Sequence, residues 1–282
     1  MKKKKTALIT GGTSGVGLSI ARALVKNNYE VFIIGRNQEK GKAITLDLNK
    51  HGACAEFICL DLECLSDVAL FAEDFANKQE RLDLLVNAAG IVLPKREITK
   101  EGLEKTFATG YLSAFILSNN LAKLLKRTEG ARIVNVSAQP KSVLIDKLDF
   151  ENLDFSKNYN GFKASLTTVN AKTVLTQLLA EKFVPLGIDV NCFHPGIVRS
   201  QLTRSLPFGM RFLMKLFSPF MSRISENGIF VSESTQLNGI TGQLYVNKKS
   251  ISLNFDTAYK EELWLKSIEL LKKLKIDIDE NS

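Results

Sequence analysis

At 282 residues, 45% hydrophobic and 24% charged, the chain has the make-up of one large folded domain, not of a disordered or fibrous protein. No apolar run reaches the length of a membrane span and no hydrophobic stretch follows Lys2–Lys5, so the expected location is the cytoplasm. A net charge of +8 suits anionic partners such as phosphorylated cofactors or lipid surfaces, while no basic run interleaved with aromatics points to nucleic acid.

Along the chain, short β-branched runs alternate with amphipathic stretches of helical length. Strands are predicted at Thr6–Thr10, Val31–Gly35, Ala55–Leu60, Leu84–Asn87, Arg132–Ser137 and Ile188–Phe193, with a last one near Gln243–Val246. Their nearly continuous apolar character is that of strands covered by helices on both faces. Leu18–Lys26 and Leu166–Phe183 carry apolar residues at three- and four-residue steps and read as helices. The pattern predicts an α/β fold, a doubly wound parallel sheet of about seven strands, in a single domain over 1–282 with a loop-rich excursion at about 201–225. Cys54, Cys59, Cys64 and Cys192 match no metal-ligand spacing, so no metal site is expected and the thiols read as reduced and mostly buried.

The first strand runs into Thr10-Gly11-Gly12-Thr13-Ser14-Gly15-Val16-Gly17 and then a helix. Glycines there remove the Cβ atoms that would keep a pyrophosphate away from backbone amides and the helix N-terminus. A glycine-rich turn alone is weak evidence, but this one sits between a strand and a helix in the first βαβ unit, as a Rossmann-type dinucleotide site requires. The second strand ends Gly35-Arg36-Asn37, with no Asp or Glu to hold a ribose 2′-hydroxyl. A guanidinium can instead grip a 2′-phosphate, which favours NADP(H).

These segments together resemble the short-chain dehydrogenase/reductase family. The Thr10–Gly17 loop is similar to its glycine-rich loop, and Asn87-Ala88-Ala89-Gly90 to its Asn-Asn-Ala-Gly motif. Asp61-Leu62 falls at the position that contacts adenine. His194-Pro195-Gly196-Ile197-Val198-Arg199-Ser200 resembles the segment framing the nicotinamide in the retinol-dehydrogenase-like branch. The resemblance implies cofactor contacts at Gly11, Thr13, Ser14, Gly15, Val16, Gly17, Arg36, Asn37, Asp61, Leu62, Asn87, Ala88, Gly90, Pro195, Gly196, Val198 and Ser200. His194 reads as structural, beside the turn.

The same resemblance implies four catalytic groups: a Tyr that exchanges the substrate proton, a Lys that lowers its pKa, a Ser and an Asn. Tyr159-Asn160-Gly161-Phe162-Lys163 has the Tyr-x-x-x-Lys spacing, yet it lies six residues too early relative to Pro195-Gly196. The relatives' register puts the tyrosine position on Ser165 and the lysine position on Val169, since Ser165-Leu166-Thr167-Thr168-Val169-Asn170-Ala171 resembles their Tyr-x-x-Ser-Lys-x-Ala. In the same way Gly110 takes the place of the Asn and Ala138 that of the Ser, one residue after Ser137. By this register all four functional groups are missing. Ser137, Tyr159, Lys163, Ser165 and Tyr111 are what remains nearby, each read more readily as structural than as catalytic.

Leu206–Arg223 is Met- and Phe-rich, with Arg211, Lys215 and Ser222 on another face, so it reads as a basic amphipathic element broken at Pro219. In relatives this region covers the substrate, which implies a large apolar ligand; core packing and a peripheral membrane contact are the competing readings. Relatives also pair through helices at about Lys100–Lys126 and Lys163–Phe183, which leaves a homo-oligomer open. The expected function is an NADP(H)-dependent oxidoreductase acting on a hydrophobic small molecule through a non-standard site. The alternative is a catalytically silent NADP-binding scaffold, sensor or partner subunit.

Overall fold

The computed structural model describes residues 4–50, 54–145, 148–196, 222 and 224–278. Seven strands lie in one sheet in parallel pairings: β1 (Lys5–Thr10), β2 (Tyr29–Gly35), β3 (Cys54–Cys59), β4 (Leu84–Asn87), β5 (Arg132–Val136), β6 (Asp189–Phe193) and β7 (Leu244–Val246). An eighth strand, β8 (Lys249–Ile251), extends the edge antiparallel to β7, so the order is β3-β2-β1-β4-β5-β6-β7-β8. The expectation of about seven strands is short by this hairpin. Its turn places Asn247 and Lys248 at φ 50° and 64°, the mirror-image geometry of a two-residue hairpin, without the glycine that normally announces one.

Alternation along each strand divides the interior into two layers. Leu8, Phe32 and Leu85 point into one apolar cluster, whereas Ala7, Ile9, Val31, Ile33 and Val86 point into the other. The second layer is closed by α1 (Gly15–Lys26), whose Ile20, Ala21 and Leu24 are fully buried. α2 (Gln38–Leu48) links β2 to its parallel neighbour β3, and α3 (Leu65–Lys78) carries the chain from β3 over to β4 on the far side of β1.

The helical run over 105–126, here α4, contains a π-turn at Ala108–Leu112 before it resumes as Ser113–Asn120. A short α5 (Pro140–Ile145) precedes the long α6 (Gly161–Phe183), and α7 (Glu226–Glu233) lies against α1. The last helix, α8 (Thr257–Lys273), is capped by Asp256, which accepts from Ala258 and Tyr259 amides. It packs on both α4 and α6: Tyr111 Oη meets Ser267 Oγ at 2.8 Å, the Phe115 and Trp264 rings stand 4.8 Å apart, and Lys260 pairs with Glu181. These are the helices through which the resemblance expects a second copy to pair, and here α8 packs on both.

Tyr111 thereby leaves the list of site candidates, since it is fully buried and burial pushes its phenol far above the ordinary range. The thiols also depart from expectation: only Cys192 is buried, Cys54 and Cys64 are half-buried, and Cys59 is exposed at the strand end. Among the described residues no helix is long and apolar enough to cross a membrane.

Candidate dinucleotide site and its opposite wall

Sheet order reverses between β1 and β4, and their C-terminal ends open a crevice of the kind that takes ligands in α/β sheets. The β1–α1 turn bends into it through Gly11 at φ +66° and Gly15 at φ +53°, a backbone conformation costly for side chains. A Cβ on Gly17 would stand 2.6 Å from the Gly11 carbonyl oxygen, and one on Gly12 would stand 2.6 Å from Ile33 Cβ. Thr13 packs against Gly35, where a Cβ would meet Thr13 Cγ2 at 2.8 Å. Ser14 caps α1 with an extended backbone but makes no side-chain capping bond. The first amides of α1, which begins at Gly15 with Val16 and Gly17, therefore keep their donors for an anion.

The floor of the crevice is the segment after β4. Thr10 Oγ1 donates to the Val86 carbonyl at 3.4 Å and accepts from the Ala89 amide at 3.1 Å, tying the β1 and β4 ends together. Ala88 is half-buried and Gly90 is exposed. Asn87 closes β4 with its side chain turned inward. It is buried, and its Nδ2 donates to Asn135 Oδ1 at 2.9 Å and Ser118 Oγ at 3.2 Å, so it braces β4 against β5.

At the end of β2, Arg36 is exposed, with Nη1 4.0 Å from Glu63 Oε2. Lys105 Nζ reaches the same carboxylate oxygen at 2.9 Å, and this bond raises the Lys105 pKa. Asn37 Oδ1 accepts from the Lys40 amide at 2.8 Å and so caps α2. Asp61 Oδ1 accepts from the Glu63 amide at 3.3 Å, while the Leu62 side chain is buried in the core, leaving its backbone for a ligand. Pro195 and Gly196 follow β6, Gly196 at φ +71°. Val198, Ser200 and nearly all of the amphipathic segment lie outside the described residues.

The opposite wall carries the positions where catalytic groups were sought. Tyr159 donates from Oη to the Leu93 carbonyl at 3.2 Å, and a Cβ on Gly161 would run into that same oxygen at 1.7 Å. The segment before α6 is thus clamped on the loop after β4, and Tyr159 is the clamp. Burial raises its phenol pKa, the reverse of what a proton-transfer tyrosine needs. Lys163 is exposed in the first turn of α6. Ser137 is buried and its Oγ lies 2.5 Å from Thr173 Oγ1, spent on packing β5 against α6. Ser165 is half-buried.

The four register positions are filled in a consistent way. Ala138 is buried in a small apolar cluster with Val143, Cys192 and Leu244, and Leu166 and Val169 pack against it. Gly110 lies in the π-turn, where an added Cβ would meet Thr168 Cγ2 at 2.6 Å. The methyl of Thr168 therefore fills the space a side chain at 110 would need. His194, half-buried at the end of β6, has Nε2 3.1 Å from Gln139 Nε2, and burial lowers its pKa.

One residue escaped the sequence reading. Lys172 stands on α6 one turn beyond Val169 and is 1% exposed, with Nζ 3.2 Å from the Ala89 carbonyl and 3.5 Å from that of Asn87. The signal was a lone lysine inside Asn170-Ala171-Lys172-Thr173-Val174-Leu175, on a helix expected to be buried.

A family model described as short chain dehydrogenase matches residues 5–148. A polyprenol dehydrogenase of Danio rerio is 31% identical over 95% of this chain and 86% of its own length. A retinol dehydrogenase 12 of Bos taurus is 30% identical over 95% of this chain and 86% of its own. Among solved structures, a Pseudomonas aeruginosa RhlG/NADP active-site complex superposes with a TM-score of 0.66 at 25% identity, covering 85% of this chain and 93% of that one.

Proposed function

Because the chain belongs to the short-chain dehydrogenase/reductase family, in its retinol-dehydrogenase-like branch, we propose that it binds NADP(H) in the β1–β4 crevice and acts as an oxidoreductase on a hydrophobic small molecule. The observation that carries the cofactor reading is Arg36, exposed at the end of β2 with no carboxylate of that strand end beside it. Its guanidinium is free to pair with a 2′-phosphate, displacing its long contact with Glu63. The glycine cradle fits the pyrophosphate, since any Cβ at Gly17 would collide with the loop itself. The RhlG complex supports the choice of NADP, and relatives named for polyprenol and retinol support an apolar substrate.

Bound there, the cofactor supplies a hydride donor or acceptor; what the protein adds is position, shelter from water and charge. Among the described residues it adds no evident acid. At the register positions the only hydroxyl is Ser165, and Tyr159 and Ser137 are committed to structural bonds. Reduction of a carbonyl needs a proton at the forming alkoxide, whereas an activated C=C or C=N bond can draw its proton from water or from the substrate. The site therefore favours substrates of the second kind.

Ala138 and Val169 within one apolar cluster, and the closed Gly110–Thr168 contact, favour a second reading: a nucleotide-binding protein that has given up the chemistry. Fluorescence titration with NADPH and NADH tests the cofactor. NADPH binding at least tenfold tighter than NADH is expected, and no binding at millimolar NADPH rejects the reading. NADPH consumption over a panel of enones, imines and ketones then separates enzyme from scaffold.

A further inference from the structure

Lys172 is a charged side chain placed where, among the described residues, no carboxylate pairs with it. α6 packs against β5, β6, α4, α5 and α8, and the ionisable groups of these elements are engaged or lie elsewhere. Arg132 is bonded to Asn238, and Asp189 to the Gly239 amide. On α4 and its cap, Lys105 is paired with Glu63 and Glu97, and Glu104 takes the Phe107 amide. Lys260 of α8 pairs with Glu181, and Lys141 of α5 is exposed. Cys192 is a buried thiol whose pKa burial pushes up to about 12, so it stays neutral. Burial alone depresses Lys172, to a pKa of about 8.

What the amine does touch is the floor of the crevice. It donates to the carbonyls of Asn87 and Ala89, and Ala89 is also held by Thr10 through its amide. The same Ala89 backbone abuts the glycine turn, for a Cβ on Gly11 would sit 3.1 Å from Ala89 Cα. Lys172 is thus two contacts from the turn that receives the pyrophosphate. A buried lysine bonded only to carbonyls costs stability, and an anionic ligand across that floor would reverse the cost.

We propose that Lys172 is a positioning residue of the dinucleotide site: clamped beneath the Asn87 and Ala89 carbonyls, it holds the β4 loop against the Gly11 turn and supplies from below the positive charge that position 169 lacks. The inference rests on the NADP(H) reading. In the free protein the amine binds fewer protons than an unfolded lysine between pH 8 and its ordinary value of 10.5. Its cost to folding is therefore full below pH 8 and fades as the pH rises to 10.5. The cofactor's phosphates stabilise the ammonium and raise its pKa, so binding near pH 8.5 takes up a proton.

Calorimetric titration with NADPH at pH 8.5, in buffers of different ionisation enthalpy, reads that proton directly in the wild-type protein. On the order of half a proton per cofactor is expected. The 2′-phosphate is already ionised at this pH, and burial keeps His194 neutral there. Lys172→Met should bind NADPH about tenfold more weakly, lose the uptake, and unfold at a higher urea concentration than wild type at pH 7. Lys172→Arg keeps a charge that does not titrate, so it should bind better than Lys172→Met while also losing the uptake. Equal affinity and equal uptake in wild type and Lys172→Met overturn the role of Lys172 alone, as does absence of uptake in a wild-type protein that binds. A wild-type protein that ignores NADPH overturns the cofactor reading itself, and this inference with it.

Discussion

The two sides of the crevice have been shaped by opposite demands. On the β1–β4 side, glycines keep backbone bare: at Gly12 and Gly17 one extra carbon would collide with a neighbour, and at Gly11 it would crowd Ala89. On the α4–α6 side, space is filled by apolar contact, with Ala138, Leu166 and Val169 packed together and Thr168 seated against Gly110. A glycine does different work on the two sides. At 17 it lets the helix start close onto the Gly11 carbonyl, and at 110 it lets a neighbouring side chain close the gap.

Substitutions can break that contrast, beginning with the largest expected effect. Gly17→Ala places a carbon against the Gly11 carbonyl, which backbone cannot yield cheaply. NADPH affinity should fall at least a hundredfold, about 2.7 kcal/mol, in a fluorescence titration. Gly110→Asn, which restores the family residue on the other side, should cost about 1–3 kcal/mol in a urea melt because it overfills the Thr168 contact. Adding Thr168→Ser removes the opposing methyl and should recover most of that loss; no recovery would mean that the gap is closed by something else.

Smaller effects sharpen the comparison. Arg36→Ala should weaken NADPH about tenfold, roughly 1.4 kcal/mol, and leave NADH unchanged; equal loss for both would move the 2′-phosphate away from Arg36. Ser165→Tyr with Val169→Lys and Ala138→Ser, on the Gly110→Asn, Thr168→Ser background, should give measurable ketone reduction where the parent has none or little. Tyr159→Phe removes one part-buried hydrogen bond to Leu93 and should cost about 1 kcal/mol, with NADPH affinity intact. If it instead abolishes an activity, Tyr159 and not Ser165 is the proton-transfer position.

The nucleotide side was legible because its signals are local. A strand, a glycine turn and a helix follow one another within 5–26, and the strand bounds agree with the hydrophobic runs to within about two residues. The wall was legible only by comparison with relatives, since Gly110, Ala138 and Val169 are unremarkable residues until their shared place in space is seen. Lys172 left only a faint trace, a lone lysine on a helix expected to be buried. Its meaning comes from two carbonyls more than eighty residues away in the chain, and no periodicity reports a contact of that span. Asn87 carries a related lesson: a motif match identifies the residue, while the bonds of its side chain to Asn135 and Ser118 emerge only from the fold.

The placement of α8 changes what a second copy of this chain would find. Tyr111, Phe115 and Glu181 on α4 and α6 already meet Ser267, Trp264 and Lys260 of the same chain. A partner held on the same polypeptide is present at a fixed effective concentration, whatever the protein concentration outside. The stability of this layer should then be independent of dilution, whereas a layer completed by a second molecule would weaken as the protein is diluted. An unfolding midpoint unchanged across a hundredfold range of concentration is the signature of that self-sufficiency.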